Sequence, residues 1–106
     1  MPLFNVTYEI VTPESAEDGE VEDCGFEAEN VSLRDALDVV QQTRTSRCGG
    51  IEAIEANDSD PRRARWITIY NGMEFETGAR ESRSLHIPDT VTGASRLRIA
   101  RLMRAL

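Results

Sequence analysis

The segment RWITIY (65–70) constrains the fold more than any other part of the chain, because it is apolar on both faces. Side chains alternate between the two faces of an extended strand. Trp66, Thr68 and Tyr70 therefore share one face. Ile67 and Ile69 share the other. A strand of this kind belongs inside a sheet and needs neighbours on both sides.

An Asn71-Gly72 pair follows this segment and precedes MEFET (73–77). Asn-Gly between two strand-like runs is the strongest short-range signal for a β-hairpin with a two-residue turn. The sequence therefore predicts that Tyr70 pairs with Met73 and Thr68 with Phe75.

Two further strands are predicted near the start of the chain. Residues 3–11 alternate, with Phe4, Val6, Tyr8 and Ile10 on one face, as in a half-buried strand. A second strand is predicted over 22–29. Its inward residues would be Cys24, Phe26 and Ala28, and its outward residues Asp23, Glu27 and Glu29.

Two short strands are predicted later in the chain. Ile51–Ala56 has strand composition and follows a Gly-Gly pair, a common boundary signal. Residues 83–87 are expected to form an edge strand with Leu85 and Ile87 inward, and Pro88 ends it.

A helix is predicted from Ser32 onward. Ser32 can cap the helix and Asp35 stands three residues later, while Leu33, Ala36, Leu37 and Val40 follow helical spacing. Arg44 is expected in the last turn.

A C-terminal helix is predicted at about 93–105. Its arginines recur every three residues beside a broad apolar face. That face contains Leu97, Ile99, Ala100, Leu102, Met103 and Leu106.

These elements predict one α+β domain over residues 1–106, with an exposed acidic loop at about 12–22. We expect a mostly antiparallel sheet of about five strands, two helices on one face, and an order like ββαβββα. The second sheet face would then be available for a partner.

Composition narrows the class of protein. The chain has 106 residues, of which 40% are hydrophobic, and contains no apolar run long enough to cross a bilayer. The start, MPLFNVTYEI, lacks the features of a signal peptide. We therefore expect a cytoplasmic protein of a bacterial host cell, without contact to a membrane.

Charge is divided unevenly along the chain. Residues 1–60 contain fifteen acidic and three basic residues, whereas residues 61–106 contain four acidic and nine basic ones. The stretch TPESAEDGEVEDCGFEAEN (12–30) has no basic residue. It is either a solvated surface or a surface shaped for a basic partner. Its acidic residues are Glu14, Glu17, Asp18, Glu20, Glu22, Asp23, Glu27 and Glu29.

A basic patch offers an alternative interface. Arg62, Arg63 and Arg65 precede Trp66, which is a combination found in proteins that bind single-stranded nucleic acid. The formal net charge of −7 disfavours direct binding to phosphates except at a focused patch.

No catalytic or metal constellation is expected. Ser84, His86 and Asp89 have the residue types of a triad, but they lie in one extended segment, whereas triad members converge from separate elements. His86 is the only histidine and the two cysteines, Cys24 and Cys48, form no CxxC. We therefore predict a non-enzymatic protein without a metal or other cofactor.

The short length, the acidic segment 14–29, the hairpin RWITIYNGMEF and the lack of a catalytic constellation resemble small acidic anti-defence proteins of phages and plasmids, anti-CRISPR proteins among them. The resemblance rests on these general features and not on a shared motif. It implies a protein-binding inhibitor. The acidic residues would attract a basic, nucleic-acid-handling protein, such as a CRISPR effector, by mimicking nucleic acid, and Trp66 and Tyr70 would anchor it if they are not core residues.

Two other functions remain open from the sequence. The apolar face of the last helix and the two-sided hairpin favour a self-assembling, dimeric accessory protein of a mobile element. The patch of Arg62, Arg63 and Arg65 favours a nucleic-acid binder.

Overall fold

The computed structural model describes residues 2–11, 22–45, 50–71 and 80–106. The described chain forms five β-strands, two α-helices and one short 3₁₀ helix. In chain order the elements are β1 (Phe4–Val11), β2 (Glu22–Val31), α1 (Leu33–Gln41), β3 (Ile51–Ala56), the 3₁₀ helix (Pro61–Arg63), β4 (Trp66–Asn71), β5 (Arg80–His86) and α2 (Gly93–Arg104).

The five strands form one antiparallel sheet in the order β2-β1-β5-β4-β3. With the two helices this makes a single small α+β domain, which confirms the predicted fold class. β4 lies between β3 and β5, as its two-sided apolar character requires.

The predicted hairpin is wrong in its pairing. Tyr70 pairs with Ser82 and Thr68 pairs with Ser84, so β5 occupies the place that 73–77 was expected to take. β4 also continues through Asn71, whose buried side chain donates to the carbonyl oxygen of Thr43. A local turn preference was therefore overridden by tertiary contacts. The rest of the predicted hairpin, residues 72–77, lies outside the described residues.

β5 is the central strand and not the predicted edge strand. Its Leu85 is fully buried between Val6 of β1 and Ile67 of β4. Ile87, just after the strand, is also buried, so the predicted inward positions of both residues are confirmed.

Both helices contribute to one hydrophobic core on the same side of the sheet. Ala36 and Val40 of α1 and Met103 of α2 are buried in a cluster with strand residues that share one face by register. Burial of this apolar area is the main stabilising contribution to the domain. The core contains Phe4, Val6, Ala36, Val40, Ala64, Ile67, Ile69, Leu85, Ile87, Val91, Ile99, Ala100 and Met103.

α1 begins where the sequence predicts. The Ser32 hydroxyl accepts a hydrogen bond from the backbone N–H of Asp35 at 3.2 Å, which satisfies one of the free donors of the first turn. The predicted apolar face packs toward the core. The helix ends at Gln41, so Arg44 lies after the last turn and not within it.

α2 buries a narrower apolar face than predicted. Ile99, Ala100 and Met103 are buried, but Leu102 is 41% exposed. Arg96 is buried instead, and its guanidinium donates to the carbonyl oxygens of Ala64, Pro88 and Val91. This arginine therefore ties α2 to the segments that flank β4 and β5.

β2 is distorted, which reverses one predicted orientation. Gly25 and Asn30 have positive φ angles of 91° and 53°, and the pairing of β2 with β1 contains register shifts, one of them between Ala28 and Phe26. Such irregularities change the face on which following side chains lie. Phe26, predicted inward, is 56% exposed. Glu27, predicted outward, is exposed, and its carboxylate contacts Arg83.

Glu27 forms an ion pair with Arg83 of β5, whose side chain is buried. The guanidinium Nε lies 2.6 Å from Glu27 Oε2 and Nη2 lies 3.3 Å from Oε1. The same guanidinium donates to Thr43 Oγ1 at 3.0 Å and lies 5.0 Å from the centre of the Tyr8 ring. Arg83 thus joins the central strand to β2 and to the segment after α1.

Replacing Arg83 with Met is expected to lower the free energy of unfolding by about 2 kcal/mol, because the hydrogen bonds of the buried guanidinium to Glu27 and Thr43 would be lost. Arg80→Met is the control. Arg80 lies 2.6 Å from Glu52, but both side chains are well exposed, so the loss should stay under about 1 kcal/mol. Urea unfolding measures both, and equal losses would contradict the structural role of Arg83.

Candidate protein-binding face

The sheet face opposite the two helices is not covered by either helix, and we call it the open face. One row of paired residues crosses all five strands of this face. Residues that pair directly in an antiparallel sheet point to the same side, so the register defines the row. From β2 to β3 the row is Phe26, Thr7, Ser84, Thr68 and Glu55.

Further rows lie on either side of this one. Asn5, His86 and Trp66 form the row toward the start of β4. On the other side, Ser82 and Tyr70 lie in a row with Glu9 of β1. The open face is therefore aromatic at several positions, hydroxyl-rich at its centre and acidic toward β3 and β1.

Two aromatic side chains of the open face are conspicuously exposed. Phe26 is 56% exposed and Trp66 is 41% exposed. They lie on β2 and β4, three strand spacings apart, which corresponds to about 14 Å across the sheet. Large exposed aromatics of this kind are the residue types that most often anchor protein partners.

The centre of the open face is buried, since Thr7, Thr68 and Ser84 are each at most 8% exposed, and it is held by hydroxyl contacts. Thr68 Oγ1 and Ser84 Oγ are 2.7 Å apart, and Thr7 Oγ1 lies 3.1 Å from His86 Nε2. The His86 ring also stands 6.3 Å from that of Trp66, tilted by 40°. These contacts link three neighbouring strands and fix the surroundings of Trp66.

Tyr70 is positioned by charged neighbours. Its hydroxyl donates to Glu55 Oε2 at 3.1 Å, and the Arg80 guanidinium lies 5.8 Å from its ring centre. Partial burial, with a smaller effect of the Glu55 carboxylate, raises the pKa of Tyr70 above its ordinary value. Tyr70 is half-buried and Trp66 is 41% exposed, so neither is a core residue. Their predicted anchoring role required this.

We expect the ultraviolet titration of the folded protein to show a tyrosine that ionises above the ordinary pKa of about 10. Because the folded-state pKa is the higher one, the associated stability is present below pH 10 and is lost as the pH rises through the folded value. The Tyr70→Phe variant should lose this transition. A raised transition that persists in Tyr70→Phe would contradict the assignment.

The predicted acidic surface is described only in part. Glu14, Glu17, Asp18 and Glu20 lie outside the described residues. Glu22 and Asp23 belong to β2, but their side chains are likewise outside the described part. Glu29 is exposed, whereas Glu27 is bonded to Arg83. Glu27 therefore serves the fold, and its charge is already compensated.

The predicted basic patch lies next to the open face. Arg62, Arg63 and Arg65 are exposed and precede β4. Arg62 is paired with Asp60 at 3.2 Å. The backbone N–H of Arg62, together with its side chain, holds the pKa of Asp60 below its ordinary value. Trp66 belongs to both the basic patch and the open face.

The residues considered for catalysis are not arranged as a triad. Ser84 and His86 lie on the open face, but the hydrogen bonds described above join them to Thr68 and Thr7. Asp89 lies in an exposed turn after β5. Among the described residues, no group of three His, Cys, Asp or Glu side chains could hold a metal ion. Cys48 lies outside the described residues.

Comparison of the chain with protein-family models, with curated proteins and with solved structures finds no match. Neither helix in the described parts of the chain has the length and apolar character needed to cross a membrane.

Phe26 is the residue of this face that the sequence pattern placed wrongly. Strict alternation put it inward with Ala28. The register of β2 against β1 shifts between Ala28, which pairs with Val6, and Phe26, which pairs with Thr7. The irregularity that turns Phe26 to the open face therefore lies at Glu27, where the sequence has no glycine to signal it.

Proposed function

We propose that this protein is a non-enzymatic protein-binding module that inhibits or regulates a basic, nucleic-acid-handling protein in the cytoplasm of a bacterial host. The observation that carries the proposal is the open face, which exposes Phe26 and Trp66 while both helices pack on the other side. The proposed class of partner is a CRISPR effector or another defence complex.

The aromatic residues of the open face supply the contact area. Phe26 and Trp66 stand on separate strands of one rigid sheet, and Tyr70 lies between β3 and β5 with its hydroxyl engaged by Glu55. Anchors that are fixed before binding lose little conformational entropy when the partner arrives. A flat sheet face with ordered aromatics therefore suits a protein partner.

Charge supplies the attraction and the choice of partner. The chain has a net charge of −7, and its acidic residues are concentrated in the first sixty residues. Glu9 and Glu55 lie on the open face and Glu29 is exposed on the adjoining strand. Complementary charge accelerates association with a basic groove and excludes acidic partners. A groove that normally holds phosphates has that basic character.

The function of the aromatic anchors can be tested with Phe26→Ala and Trp66→Ala combined. The assay is binding to purified, guide-RNA-loaded CRISPR effector complexes, followed by their binding to target DNA. We expect the wild type to bind one of these complexes and to block target DNA, and the double variant to bind at least 100-fold more weakly.

Leu102→Ala is the matched control, because Leu102 is also 41% exposed but lies on α2. It should bind as the wild type does. Equal affinity of the double variant and the wild type would contradict the anchoring role. The nucleic-acid alternative is tested with a single-stranded DNA 20-mer at 150 mM salt. It would be favoured if this DNA retains the wild type but not the triple variant that combines Arg62→Ala, Arg63→Ala and Arg65→Ala.

The contribution of the acidic segment is tested separately by replacing Glu14, Glu17, Asp18 and Glu20 with their amides. We expect slower association and an affinity for the same complex at least tenfold lower at 50 mM salt, with a smaller difference at 300 mM, because salt screens exposed charges. An unchanged association rate at low salt would contradict electrostatic attraction by this segment.

A further inference from the structure

The two edges of the sheet differ in how well they can accept another strand. β2 forms one edge, but its positive φ angles and register shifts disturb its backbone. Bulges and charged residues are common devices that protect an edge against further pairing. β3 forms the other edge and has one register shift, between Ile51 and Ala53.

The outer edge of β3 is open in the described part of the chain. The backbone hydrogen bonds described for residues 51–56 all run to β4. An antiparallel edge strand directs alternate pairs of N–H and C=O groups away from its only neighbour. β3 therefore presents a row of donors and acceptors that another extended segment can satisfy.

A groove of about 540 Å³ runs beside this edge. β3 forms one wall, and the end of α2 together with the segment after α1 forms the other. Ile51 and Ile54 are only partly buried and pack against the core from this edge. Its lining residues are Arg44, Gly50, Ile51, Glu52, Ala53, Ile54, Arg104 and Leu106.

The uncompensated charge of the groove is positive. Arg44 and Arg104 are exposed, and no described carboxylate lies within ion-pair distance of either guanidinium. Glu52 also lines the groove, but its carboxylate accepts from Arg80 at 2.6 Å. An added strand would therefore meet apolar side chains and two free arginines on the helix side of the sheet.

We propose that the edge of β3 binds an extended acidic peptide segment of a partner protein as a sixth strand. Backbone hydrogen bonds to β3 give the pairing, as in other cases of strand addition. Acidic side chains at alternate positions lie on the helix side, where they contact Arg44 and Arg104 and their methylene groups cover Ile51 and Ile54. The short apolar side chains lie on the opposite side of the sheet. A second copy of this chain fits less well, because its own arginines would approach those of the first copy.

This site is separate from the open face, so the two proposals can fail independently. The probe is a fluorescein-labelled peptide, TEVEVEVT, compared with TKVKVKVT by fluorescence anisotropy. We expect saturable binding of the acidic peptide and none of the basic one. Arg44→Glu combined with Arg104→Glu should weaken binding at least tenfold.

Arg98→Glu combined with Arg101→Glu is the control, because both arginines are exposed on α2 but do not line the groove. It carries the same net charge as the test variant and should bind normally. A peptide N-methylated at every glutamate and every valine should not bind, since it lacks backbone donors for pairing along either of its edges. Hydrogen exchange should show that amides in 51–56 become protected when the acidic peptide is present.

Three results would overturn the proposal: equal loss of affinity in both double variants, binding of the N-methylated peptide, or no binding of TEVEVEVT at 1 mM. Loss of peptide binding in the double variant Phe26→Ala, Trp66→Ala would also overturn it, by assigning the peptide to the open face.

Light scattering tests whether a second copy of the chain occupies the edge instead of the peptide. A dimer whose 51–56 amides are protected without peptide would show that a second copy occupies the edge.

Discussion

The packing of both helices on one face of the sheet is the constraint on which the rest of this structure depends. A helix needs one apolar stripe against a neighbour, and the residues of α1 and α2 that meet this need all face the same side. That side becomes the core. The other side keeps hydroxyl groups at its centre and exposes the rings of Phe26 and Trp66, so the difference between the two faces follows from a single packing choice.

Buried arginines hold this one-sided arrangement together. Arg83 joins the central strand to the edge strand β2 and to Thr43, and Arg96 joins α2 to the segments around β4 and β5. A guanidinium has five donors in a planar fork, which lets one side chain satisfy several acceptors from different elements. Short segments with little apolar area of their own are thereby fixed in place.

Residues whose positions depend on local patterns were predictable from the sequence. Ser32 caps α1, Ile51–Ala56 is a strand, and Ile67 and Ile69 share one face of β4, although the alternation did not decide which face of β4 is the core. Residues whose positions depend on distant partners were not. The Asn71-Gly72 signal is local, but the neighbour of β4 is chosen by the packing of Leu85 and Arg83 of β5 against Ile67 and Ile69.

The candidate site shows the same division. Period-two alternation placed Trp66 and Tyr70 opposite the isoleucines, which is where they lie. It failed at Phe26, because the register of β2 against β1 shifts between Ala28 and Phe26 and no alternation rule contains that shift. Glu27 lies at this shift; it is exposed, as predicted, and its carboxylate also contacts Arg83.

Site-specific photo-crosslinking tests the central claim, that the open face is the contact surface, most directly. Benzoylphenylalanine would replace Phe26 in one variant and Leu102 in another, each expressed in bacteria that contain a CRISPR effector complex. The proposed function predicts an adduct between the effector and the chain labelled at position 26, and none from position 102. Adducts from position 102 alone, or from neither position, would contradict the assignment of the open face as the binding surface.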